Sequence, residues 1–188
     1  PLKLAEFTLS RKDPDYVPKA KAFARLEQER RGWTDGKPLS SELKEITRAA
    51  AALTGETVEQ LISGTGLGSA IFAIKPGDGS AREQAASCQK VLGGWANIAL
   101  EYATKRYRSN VINWGMLPFT IDPGDQEKIT TDAVLYIPRV GAAVRSGAEH
   151  VQAYLLPRGT PIQLRLTNLS GEERKIILAG SLINHYAK

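Results

Sequence analysis

The chain has 188 residues (20.4 kDa), 42% of them hydrophobic and 24% charged; this is the make-up of a folded domain, alone or with a small appendage, and excludes a disordered chain. Lysine and arginine total 25 against 20 acids, giving +5 and a pI near 9.4, which admits anionic partners without choosing among nucleic acid, phosphates and polycarboxylates. One cysteine, Cys88, excludes an internal disulfide framework and an all-cysteine metal site within the chain, and the distant pair His150 and His185 leaves little for a His-based zinc site.

No apolar run approaches the roughly 18–20 residues that span a membrane. The first residues lack the apolar core of a signal peptide. The expectation is a cytoplasmic protein with no membrane partner. Pro1 in place of Met reads as a processed product or a piece of a longer chain.

Residues 1–66 are charged, Ala-rich and helical in pattern. Pro14 and Pro18 bracket the start of a first helix over 18–31, with Ala22, Phe23 and Leu26 on one side. Gly32, Gly36 and Pro38 break it. A second helix is expected over 40–53, where Leu43, Ile46, Ala50 and Leu53 recur at helical spacing before Gly55. A short third helix fits 57–62. The glycine-rich 63–69 is a connector, or a loop that closes over something.

Residues 67–188 alternate. Ala70-Ile71-Phe72-Ala73-Ile74 is a continuous apolar run, the mark of a strand buried on both faces. A tight loop over 75–79, a helix over 81–92, a strand over 95–100 and a helix over 104–113 follow. Strands are expected at 133–137, 151–156 and 162–166, the last half-solvated, and one helix over 172–185. The order predicts an α/β domain at 67–188 with a helical arm or insertion at 1–66.

One segment carries chemistry. After the first strand, Gly77-Asp78-Gly79-Ser80-Ala81-Arg82-Glu83 opens a helix. Glycines let the backbone approach a ligand, and the free N–H groups of a helix start suit an anion. Ser80 adds a hydroxyl, and Arg82 a two-pronged donor for a carboxylate. The same residues also read as ordinary architecture: Ser80 with Glu83 is a capping box, and Asp78-Gly79 is common turn chemistry. The segment is neither a Walker loop nor a dinucleotide fingerprint.

The longer string Gly77-Asp78-Gly79-Ser80-Ala81-Arg82-Glu83-Gln84-Ala85-Ala86 resembles the Gly-x-Gly-Ser-Ser-Arg-Glu-x-Ala-Ala signature of the aconitase superfamily. Three further stretches resemble it in order: Leu92-Gly93-Gly94, Arg108-Ser109-Asn110 through Asn113-Trp114-Gly115-Met116-Leu117-Pro118, and Ala179-Gly180-Ser181-Leu182-Ile183-Asn184. The resemblance covers 69–188 and is nearest to divergent bacterial aconitase-like hydratases. It implies a swivelling β/β/α-type domain, like the fourth domain of aconitase, that closes on cluster-bearing domains of the same polypeptide or a partner subunit.

The resemblance further implies a hydro-lyase of the aconitase or isopropylmalate isomerase kind, acting on a di- or tricarboxylate. It makes Ser80, as alkoxide, the base, and Arg82 the carboxylate clamp, with Gly79 and Ala81 contacting substrate through the backbone. Ala81 stands where the family has its second serine, and Tyr107 where it has a histidine; Tyr107 is assigned no catalysis. A 4Fe-4S cluster belongs to the other domains and none is bound by this chain, so the chain alone is expected to be inactive. An RNA-binding or inactive anion-binding module of the same fold is the alternative.

Other features read as ordinary surface. Lys105-Arg106-Tyr107-Arg108 is a solvated helix face before it is an RNA patch. Arg108 and Asn110 would equally support the Ser80 loop. Glu27-Gln28-Glu29-Arg30-Arg31 is a solvated run, His150 and His185 are surface or packed residues, and Asp122-Pro123-Gly124-Asp125 is a turn. Cys88, in the middle of a helix, is a small buried hydrophobe.

Overall fold

The computed structural model describes residues 2–11, 13–34 and 37–187; Pro1 and the break expected at Gly36 lie outside them. Four helices come first: α1 (Leu2–Ser10), α2 (Tyr16–Arg31), α3 (Ser41–Thr54) and α4 (Val58–Gly64). Then follow β1 (Ser69–Ala73), α5 (Arg82–Val91), β2 (Gly94–Ala99), α6 (Lys105–Asn113), β3 (Leu117–Ile121) and α7 (Pro123–Gln126). The chain finishes with β4 (Val134–Tyr136), α8 (Val140–Ser146), β5 (His150–Leu156), β6 (Thr160–Arg165), α9 (Gly171–Ala179) and α10 (Leu182–Tyr186).

The six strands form one mixed sheet in the order β1-β2-β3-β6-β5-β4. β1, β2 and β3 are parallel and joined by helical crossovers; β6, β5 and β4 run antiparallel to their neighbours. The main core lies on the sheet, where Ile98, Phe119, Val151, Ile162 and Leu164 meet Ile176 and Ile177 of α9. Phe119 and Leu164 are fully buried. Burying such a side chain contributes about 1.5–3 kcal/mol.

Several expectations shift. β1 is an edge strand and only partly buried, not covered on both faces. α1 was not expected; its Ala5 packs with Val17 and Ala20 of α2 against Cys88 and Leu92, on the helix that follows β1. Helices α1 and α2 therefore buttress α5, and Cys88 is a packing residue in that cluster. β3 carries Pro118, which argues against a central strand; the structure places it in the half of β3 that pairs with β2 alone. The single helix expected over 172–185 is two, because Gly180 turns left-handed (φ 85°) and Ser181 caps a new start at Leu182, its hydroxyl accepting from the Asn184 amide.

The charged run 27–31 is not simply solvated. The Glu27 carboxylate is buried and accepts from Arg30 Nε (2.7 Å), Arg31 Nε (2.6 Å) and the Leu67 amide (2.9 Å). Burial alone would raise its pKa, but these donors hold it below the ordinary carboxylate value. Residues 65–68 are thereby pinned across the Trp95 indole.

Candidate active site

The loop after β1 leads the chain into α5 and is held to the segment after β2 by the Glu101 amide on the Ile74 carbonyl (3.2 Å) and the Ala103 amide on the Pro76 carbonyl (2.9 Å). Helix α5 begins at Arg82, with Ala81 at the N-cap and no side-chain cap. The capping box read from Ser80 and Glu83 does not form. Glu83 instead accepts from Trp114 Nε1 (2.8 Å), at the end of α6. Ser80 is exposed, and among the described residues its hydroxyl makes no hydrogen bond within the protein. The first N–H groups of α5 are left open, as a helix start leaves them unless something caps it. The helix dipole adds a partial positive charge there.

Arg82 is half-buried. Its Nε donates to the Gly77 carbonyl (2.9 Å), and among the described residues its guanidinium pairs with no carboxylate. The same carbonyl accepts from Thr104 Oγ1 (3.0 Å). The terminal amino groups of Arg82 make no hydrogen bond among the described residues. Gly79 and Ala81 lie in this exposed bend and offer backbone only.

Gly77 sits at φ 99°, and a Cβ there would lie 2.4 Å from Tyr107 Cβ. Only glycine tolerates both the dihedral and the contact. Tyr107 is buried and bonds into a ring: it donates to Asn97 Oδ1 (2.9 Å), Gln89 Nε2 donates to Tyr107 (2.9 Å), and Asn97 Nδ2 donates to Gln89 Oε1 (2.6 Å). Burial pushes the Tyr107 phenol pKa up, offset in part by the Gln89 donor. Beside it, burial raises Tyr102, whose hydroxyl donates to the carbonyls of Asn97 (3.3 Å) and Phe119 (3.2 Å). Sequence reasoning missed Gln89, Asn97, Thr104 and Trp114. The visible signal was Asn97, a lone amide in an otherwise apolar strand.

Two of the stretches that resembled one signature, 108–118 and 179–184, come together in space. Gly115 (φ 67°) abuts Gly180, so closely that a Cβ would sit 2.1 Å from the Gly180 carbonyl oxygen. Arg108, however, does not support the Ser80 loop: it donates to the Thr167 carbonyl (2.7 Å) and faces Glu173 (3.6 Å), tying α6 to α9. With Tyr107 also inward, the basic cluster 105–108 presents Lys105 and Arg106 to solvent. A cavity of about 870 Å³ lies elsewhere, between the arm and the sheet, lined by Leu43, Ile46, Phe72 and Trp95. It is apolar and omits Ser80 and Arg82, so it is not where this loop's chemistry would occur.

The exposed loop and its uncapped helix start stand on a sheet of three parallel and three antiparallel strands. Residues 69–124 match the Aconitase C-terminal domain family. The chain also resembles the crystal structure of 3-isopropylmalate dehydratase (leuD) from Methanocaldococcus jannaschii, with 25% identity, TM-score 0.50 and 74% of each chain covered. No curated protein sequence matches. Over residues 69–124 the chain is similar to the Aconitase C-terminal domain, and its mixed α/β fold matches that of the leuD structure.

Among the described residues, no group of three His, Cys, Asp or Glu side chains is placed to hold a metal ion, and Cys88 is buried in the arm's core. These residues do not fit an iron–sulfur cluster. No helix among them is long and apolar enough to cross a membrane.

Proposed function

We propose that this chain is the substrate-closing part of a hydro-lyase that hydrates or dehydrates a di- or tricarboxylate. The observation that carries the reading is the open start of α5, where, among the described residues, Ser80 has no protein partner and Arg82 has no acid. Arg82 clamps a substrate carboxylate through its terminal amino groups, and the amides near Gly79 and Ala81 add donors. Ser80 exchanges the proton on carbon. Its alkoxide is favoured by the positive end of α5 and the nearby guanidinium.

In dehydration a C–H pair becomes part of the new C=C bond, the proton passing to Ser80 Oγ as the C–OH bond breaks. The departing hydroxyl is handled by the domains this chain closes upon, which on this reading hold a 4Fe-4S cluster and lie in the same polypeptide or a partner subunit. Residues 1–66 serve as a helical arm and 67–188 as the swivel domain. Closure excludes water and brings the base to the substrate, so the chain alone is inactive.

The test is activity of the assembled, cluster-loaded protein on unsaturated di- and tricarboxylates. Wild type should turn over, and Ser80→Ala should not, while still assembling with the cluster-bearing part. Full activity in Ser80→Ala would remove serine from the mechanism.

A further inference from the structure

The three side chains Gln89, Asn97 and Tyr107 form a closed, directional ring of hydrogen bonds, and they are 3%, 1% and 4% exposed. Each comes from a different element: α5, β2 and α6. A polar ring so deeply buried is costly to open, because polar groups would be left unpaired in a low-dielectric interior. It also fixes orientation. With Tyr107 donating to Asn97, each amide can take only one direction around the ring.

The ring stands directly beneath the Arg82 loop. The Gly77 backbone rests on Tyr107, at a distance no side chain would permit. Thr104 caps α6 by accepting from the Tyr107 amide (3.2 Å) and donates to the Gly77 carbonyl. That carbonyl in turn receives Arg82 Nε. Gln89 lies on the same helix as Arg82, seven residues on, so the ring sets the position of α5 as well as that of the loop.

We propose that Tyr107, acting with Thr104, is a positioning residue: through the ring and the Gly77 carbonyl it sets Arg82 so that Nε is engaged and the terminal amino groups face the ligand. This rests on the reading of Arg82 as the carboxylate clamp. Tyr107 itself touches no substrate. It takes the place that a histidine has in the resembling signature, and its phenol reaches inward to the ring, not outward to the Ser80 loop.

The experiment follows the Arg82 Nε–H by NMR in the intact chain, together with citrate titration. In wild type the Nε–H should exchange slowly, shielded by the Gly77 carbonyl. Tyr107→Phe keeps the ring under Gly77 and removes the hydroxyl. It should speed that exchange and weaken citrate binding about tenfold, the scale of one lost hydrogen bond. Thr104→Val should do the same and Thr104→Ser should restore both readouts. Ile176→Val, in the main core far from the loop, should lower Tm without moving either.

Should Tyr107→Phe not fold, the Thr104 pair decides. A folded Tyr107→Phe or Thr104→Val with unchanged Nε–H exchange and unchanged citrate affinity would overturn the proposal. Slow exchange that is lost in the variants, with no citrate binding even in wild type, would uphold the positioning and reject the clamp.

Discussion

Helices α5 and α9 are preceded by the same pattern, a serine followed three residues later by glutamate. At α9 the box closes: Ser170 Oγ accepts from the Glu173 amide (3.2 Å), and Glu173 Oε2 accepts from the Ser170 amide (2.8 Å). At α5 it stays open. The helix starts later, at Arg82, Glu83 is taken by Trp114, and Ser80 is left in an exposed bend. One start spends its serine on the fold, and the other leaves its serine hydroxyl without a hydrogen bond among the described residues. The contrast teaches that a local pattern offers a cap, and the tertiary neighbour decides whether the offer is taken.

The two serines should therefore separate cleanly in experiment. The largest effect expected is on turnover: Ser80→Ala in the assembled protein should lower kcat by about a hundredfold to ten-thousandfold, the scale of proton transfer by a positioned group. Ser170→Ala should leave kcat unchanged. Equal losses in both variants would erase the contrast.

Stability should show the opposite order. Ser170→Ala loses a cap and should cost about 1 kcal/mol, roughly 2–4 °C in Tm for a chain of this size. Ser80→Ala removes no bond and should stay within about 0.5 kcal/mol. Thermal unfolding of the two variants checks this pair directly.

Trp114→Phe sharpens the comparison. It releases Glu83, which can then turn back on the Ser80 amide and close the box. Citrate affinity should fall about threefold, the size of a small competing cap. An unchanged affinity would mean that Trp114 does not keep the cap open.

The smallest effect concerns pH. Glu172, in the first turn of α9, is held below the ordinary carboxylate pKa chiefly by the hydrogen bond with His185 (2.6 Å), then by Lys175. Its contribution to stability is present above the ordinary carboxylate range and is lost as pH falls through the lowered folded value. Glu172→Gln should flatten the acid limb of a stability-against-pH curve slightly. A steeper limb would contradict the assignment.

Much of the α/β order was legible because it rests on local signals. Apolar runs marked β1 and β2, alternation marked β6, and Gly55 stopped α3 where expected. What was not legible depends on distant partners. The Glu83 that would close a box on Ser80 is held by Trp114, and buried Glu27 accepts from the amide of Leu67, forty residues on in the loop before β1. No strand was expected at β3; Pro118, of a residue type ordinarily excluded from a central strand, is accommodated where β6 does not reach. Tyr107, set aside in the sequence as a departure from a histidine, proves to sit under the one loop the sequence singled out.

The most direct test of the open α5 start is a titration of the chain with citrate, isocitrate, isopropylmalate and phosphate, following the backbone amides of residues 79–83 by NMR. The account predicts shifts centred on those amides, saturating near millimolar ligand because only part of the clamp is present, and abolished in Arg82→Ala. Shifts that are absent at ligand concentrations well above millimolar, or that persist unchanged in Arg82→Ala, would contradict it.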